Sequence, residues 1–117
     1  MVEAFFAAAR ESDFDRLVAL LHADVVLRAD AGPRQPRASM VVRGATAVAR
    51  GSLAGVRRGL TLRSMLVNGV PGGILFDGDV AVTLMAFTVV GGRIIEIDAL
   101  RDAERLAQLD LAPSAGG

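Results

Sequence analysis

The sequence has no cysteine, tryptophan, tyrosine or lysine, and its single histidine is His22. Without cysteine there is no disulfide, no thiolate zinc site and no thiol nucleophile. One histidine gives no basis for a histidine metal cluster or a catalytic triad, so neither metal nor cofactor is expected. The only aromatics are 5 phenylalanines. The basic stretches Arg34–Arg37–Arg43 and Arg57–Arg58–Arg63 therefore lack interleaved rings and read as solvated faces. With 13 basic and 13 acidic residues the formal charge is zero, and no direct nucleic-acid binding is expected. No apolar run reaches membrane-spanning length, and the start "MVEAFFAAARESD" carries Glu3 and lacks a basic leader. A cytoplasmic protein without membrane contact is the expectation. Arginine as the sole strong base, with abundant Ala, Gly and Val, matches a GC-rich bacterial genome.

What is present describes a globular chain. At 117 residues, 52% apolar and 22% charged, it makes one domain with a true core. That domain is expected over residues 1–111, with "PSAGG" closing a flexible tail over 112–117. In "VEAFFAAARESDFDRLVALL" apolar residues recur at helical spacing twice, with Ser12 and Asp13 at the joint as a cap. "ADVVLRA" alternates as a strand, with Val25, Leu27 and Ala29 on one side and Val26 and Arg28 on the other. A loop from Gly32 to Pro36 follows, then the short strand "ASMVVRG". Gly44 opens a helix that is weakened by Gly51 and ends near Gly55. Strands "LTLRSMLVNG", "GGILFDGD", "VAVTLMAFTVV" and "RIIEIDAL" come next, with hairpin turns at Asp77-Gly78 and Gly91-Gly92. "VNGVPGG" reads as a turn, since it has no Lys or Ser/Thr placed for a phosphate. "VAVTLMAFTVV" is apolar on both faces and reads as a central strand. "DAERLAQLDL" makes the last helix, capped by Asp102. Helices first and hairpin-linked strands after make an α+β domain, with a curved sheet wrapped around the helices.

Three carboxylates draw attention. Glu96 and Asp98 are two apart and share one side of their strand. Asp30 either begins an Asx-type turn or serves as a proton-transfer carboxylate; the pair either faces solvent or a partner, or has a tuned pKa. A steroid-isomerase-like site pairs an Asp base with a tyrosine oxyanion hole, and no tyrosine exists here. His22, in "LLHADVV", reads as the residue supporting the end of the second helix.

The strings "FFAAARESDFDRLVALLHADVVLRAD", "VRGATAVAR", "VNGVPGGILFDGD" and "GGRIIEIDALRDAERLAQL", in that order, resemble a known family. It is the SnoaL-like C-terminal extension of bacterial extracytoplasmic-function RNA polymerase sigma factors, within the nuclear-transport-factor-2-like superfamily. The resemblance runs from about Val2 to Leu109. It implies a cone-shaped α+β roll with N-terminal helices on a curved, mostly antiparallel sheet. It also implies a regulatory domain, not an enzyme, acting on transcription initiation through contacts with sigma-factor core domains and RNA polymerase.

Two motifs of that family are implicated in regulation. An Asp-Gly-Gly-Gly-Lys loop matches Asp30, Ala31, Gly32, Pro33 and Arg34, keeping the acid, one glycine and the base. An Asn-Pro-Asp-Lys-Leu helix start matches Asp102, Ala103, Glu104, Arg105 and Leu106. The implied regulatory interface is Asp30, Gly32, Arg34, Asp102, Glu104, Arg105 and Leu106. Ala31 and Pro33 stiffen a loop that glycines would leave free. The sigma domains are not in this sequence, which makes it a fragment or a stand-alone relative. The alternatives are a stand-alone isomerase or cyclase with Asp30 or Asp98 as the general base, and a binding protein for a small hydrophobic ligand. A homodimer through the sheet is compatible with the two-faced strand.

Overall fold

The computed structural model describes every residue except Pro36, Ala38, Asn68 and 109–117, together with the side chain of Arg57. The tail assigned to 112–117 therefore lies outside the described residues. Helices α1 (Val2–Arg10) and α2 (Phe14–Leu20) are followed by strands β1 (Leu21–Asp30) and β2 (Met40–Arg43), then helix α3 (Ala45–Arg57). Strands β3 (Thr61–Val67), β4 (Val70–Asp77), β5 (Val80–Val90) and β6 (Arg93–Leu100) lead to helix α4 (Ala103–Gln108). Asp13 caps α2 as its sequence position suggests, its side chain accepting from the Arg16 N–H.

All strands form one 6-stranded sheet in the order β2-β1-β6-β5-β4-β3. Every pairing is antiparallel except β1 with β6, which is parallel. β5 lies inside the sheet between β6 and β4; Thr83, Met85 and Phe87 are buried on one face, while Leu84 and Ala86 on the other are half-buried. This order puts the C-terminal ends of β1, β4 and β6 at one end of the sheet, beside the starts of β2, β3 and β5.

The inner face packs on α1, α2 and α3. Val25 and Ala29 of β1, Met85 and Phe87 of β5, and Ile94, Ile97 and Ala99 of β6 join Phe5, Phe6, Leu17 and Val48 in one core. Phe5 and Phe6 each meet Phe87 edge-on, with ring centroids 5.5 and 5.6 Å apart. Ile74 and Leu106 are buried outside that cluster, where α4 covers part of the opposite face.

The structure departs from the sequence reading at three places. His22 lies within β1, not at the end of α2, and its Nδ1 accepts from the Asp24 N–H at 3.0 Å. α3 runs on to Arg57, past Gly55. Pro71 belongs to β4 and not to a turn, and Gly72 and Gly73, which fall in both "VNGVPGG" and the strand "GGILFDGD", belong to the strand. Pro71 pairs with Leu66 of β3, one residue beyond the Gly72–Ala86 pair that ends the β5 ladder, so its missing N–H is tolerated. A Cβ on Gly73 would stand 2.1 Å from Phe6 Cζ, so glycine is what lets the aromatic ring lie on the strand.

Candidate functional site

The parallel pairing of β1 with β6 sets Asp30 opposite Leu100. The Asp30 carbonyl accepts from the Arg101 N–H at 2.6 Å, so β1 ends beside the residue that leads into α4. The segments 30–34 and 102–106, separate in the sequence, thereby become neighbours.

Their contacts are specific. Asp30 Oδ1 accepts from the Gly32 N–H at 2.8 Å, which is the Asx-type turn, while its Oδ2 lies 3.8 Å from Arg105 Nη1. Arg34 Nη1 meets Glu104 Oε1 at 2.8 Å. Gly32 has φ +85°, and a Cβ there would stand 2.4 Å from Asp102 Oδ2, so the loop backbone lies directly on the Asp102 side chain. Asp102 Oδ1 accepts from the Glu104 N–H at 3.1 Å, as a capping residue does. Leu106 is 3% exposed and anchors α4, whereas the four charged partners point outward. Leu106 thus holds the surface from beneath, and Asp30, Arg34, Glu104 and Arg105 form it. Ser39 closes the loop by accepting from the Ala31 N–H at 3.0 Å.

Asp98 sits on the outer face of the sheet, opposite Arg28 in register, with Glu96 on the same side. Arg28 Nη1 reaches Glu96 Oε1 at 2.8 Å. Asp98 and Asp30 both line an open groove of about 660 Å³ on that face, with Val41, Leu84, Ala86 and Leu100. Asp98 is exposed, but partial desolvation of its carboxyl first, then the charge and hydrogen bond of Glu96, push it above its ordinary 3.8, against the lowering pull of Arg28.

The sign follows from linkage. The folded protein holds this proton more tightly than the unfolded chain does. The contribution to stability is therefore greatest below the ordinary pKa and declines as pH rises through the interval up to the raised one. Asp98→Asn is expected to raise the melting temperature at pH 7 and to lose that advantage near pH 3. Equal gains at both pH values in paired thermal melts would contradict this.

A second cavity, of about 500 Å³, lies inside the cone between the helices and the inner face. Phe5, Phe6, Leu62, Leu75 and Met85 are among its walls; Arg58, Asp77 and Arg101 are its charged lining residues. Neither Asp30 nor Asp98 lines it. The sequence assigned Asp77 to a turn and Arg58 to a solvated face, and it gave Arg101 no role. Nothing short of the strand order brings these three together. Among the described residues no group of three or more His, Asp or Glu is placed to hold a metal ion, and no helix is long and apolar enough to cross a membrane.

This arrangement of helices on a mixed sheet is shared with several solved structures. The chain has the NTF2-like fold. Mycobacterium tuberculosis extracytoplasmic function sigma factor SigJ matches with a TM-score of 0.73 and 29% identity, over 94% of this chain and 44% of that one. The NTF2-like chain thus spans less than half the length of that sigma factor. An M. tuberculosis LEH-like epoxide hydrolase matches with a TM-score of 0.58 and 22% identity, over 92% of this chain and 84% of the other. An NTF2-like protein from Burkholderia xenovorans matches with a TM-score of 0.58 and 20% identity, covering 92% and 90%. At those identities the last two establish the fold alone. No protein-family model and no curated protein matches the chain.

Proposed function

We propose that this domain is the regulatory C-terminal domain of an extracytoplasmic-function sigma factor, and that it modulates transcription initiation through protein–protein contacts. The observation that carries this reading is the joining of residues 30–34 to residues 102–106 in one exposed surface of alternating charge. The similarity to SigJ over 94% of the chain supports it. The ion pairs of that surface are solvent-exposed: side-chain exposure is 80% and 57% for Arg34 and Glu104. Pairs of this kind add only about 0–1 kcal/mol to stability. Their charges are thus available to a docking partner, where complementarity sets specificity and association rate. The partners are the sigma-factor core domains and, through them, RNA polymerase. The carboxylates considered for an isomerase or cyclase, Asp30 and Asp98, stand on the opposite face from the cone, and the one carboxylate that lines it, Asp77, lies exposed at its mouth.

The test uses the whole reading frame that carries this chain, combined with core polymerase in run-off transcription. The double variant Arg34→Glu/Arg105→Glu is expected to change transcript yield several-fold while leaving the melting temperature of the domain nearly unmoved. Unchanged yield, or a reading frame without sigma domains, would overturn the reading.

A further inference from the structure

The cavity inside the cone is not explained by docking at the charged surface. Its floor and walls are mostly apolar, with Ser52 and Thr83 as polar exceptions, and come from α1, α3 and all six strands. Its volume falls within the range of small-molecule sites. The space is left open chiefly by α3, which presents Gly51, Ser52, Ala54 and Gly55 toward it. A Cβ on Gly51 would meet nothing within 4 Å, and one on Gly55 only Leu75 Cδ1 at 3.8 Å. Packing therefore does not demand glycine at either position. Yet each glycine weakens the helix by roughly 0.5–1 kcal/mol relative to alanine. The helix is less stable than it could be, and the cavity is correspondingly wider.

The charged lining residues gather at one end. Arg58 caps the C-terminus of α3, Asp77 ends β4 and Arg101 follows β6, so all three stand at the end of the sheet where β1, β4 and β6 finish. All three are exposed, whereas Phe5, Phe6, Leu62 and Met85 are buried. Two guanidinium groups and a single carboxylate thus line the mouth. The last α3 carbonyls, those of Gly55 and Val56, are already bonded by the N–H groups of Arg58 and Gly59. None of these three side chains forms an ion pair among the described residues.

We infer that the cavity binds a single-chain amphiphile with an anionic head, the apolar chain inside the cone and the head at the mouth beside Arg58 and Arg101. Apolar wall in contact with water is unfavourable by roughly 25 cal/mol per Å², and an apolar guest removes that contact. Guanidinium groups receive a carboxylate or phosphate through charge-assisted hydrogen bonds. The mouth shares one end of the sheet with the charged surface through Arg101, but none of Asp30, Arg34, Glu104 and Arg105 lines the cavity, so its test stands apart from the sigma-factor reading.

The experiment is calorimetric titration and thermal shift on this chain with four probes of one chain length: decanoate, decyl phosphate, decanol and decylammonium, each below its micelle concentration. At least one of the two anions is expected to bind about five- to tenfold more tightly than decanol, with decylammonium weakest. The choice between the anions identifies the head group. Arg58→Gln/Arg101→Gln, on the exposed mouth, should abolish the preference for the anion while leaving decanol binding unchanged. Gly55→Leu should weaken every probe by filling the space. Binding of none of the probes, or equal binding of decanol and both anions, or an anion preference that survives the double Arg variant, would overturn the inference.

Discussion

Truncation of Phe6 to alanine is expected to lower the free energy of unfolding by about 3–5 kcal/mol, read as a fall in the urea midpoint at unchanged slope. Phe6 is 1% exposed and packs against both Phe5 and Phe87, with centroids 6.1 and 5.6 Å away. Its ring also rests on the bare backbone of Gly73, where a Cβ would come within 2.1 Å of Cζ and 2.3 Å of Cε2. Gly73→Ala is therefore expected to destabilise by about 1–3 kcal/mol through overpacking, since the Arg63 carbonyl at 3.1 Å leaves no second place for the methyl group. The two substitutions act on one contact. Phe6→Leu combined with Gly73→Ala should cost less than the sum of the two alone, by an interaction energy measured in a double-mutant cycle. Simple additivity would show that ring and strand are not in contact as described.

Gly32→Ala is the second substitution with a large expected effect, about 1–3 kcal/mol. It has two separable causes: the φ of +85° that alanine resists, and the collision with Asp102. Removing the carboxylate with Asp102→Ala in the same chain should recover the part due to the collision and leave the part due to φ. Thermal melts of the two single variants and the double variant check this. A Gly32→Ala protein as stable as its parent would mean that the loop does not lie on α4. In whole-protein transcription, Gly32→Ala should act like the charge reversals, because it displaces Asp30 and Arg34 from Arg105 and Glu104.

Local features were legible in the residues themselves. Asp13 caps α2, the glycine turns link β4 to β5 and β5 to β6, and "VAVTLMAFTVV" is the central strand. The two charged segments were each visible, as was the shared side of Glu96 and Asp98. Their meeting was not, because Asp30 reaches Arg105 only through the parallel β1–β6 pair, and no local pattern encodes which strands pair. Gly73, which falls in both "VNGVPGG" and "GGILFDGD", was ambiguous for a different reason. A turn that needs glycine and a strand that needs glycine to admit a ring carry the same residue, and only the position of Phe6 tells them apart. His22 misled because β1 begins directly where α2 ends, without the intervening residues a helix terminus usually has.

The parallel pair has one further consequence. A partner that grips both charged segments at once binds only chains in which β1 and β6 are already joined, and so binds the folded state alone. Docking and folding are then linked by mass action. A partner present at about a hundredfold its dissociation constant would stabilise the domain by about 2.7 kcal/mol. The domain would therefore report its own integrity, since a chain with a melted sheet would lose its hold on that partner while keeping every residue of both motifs.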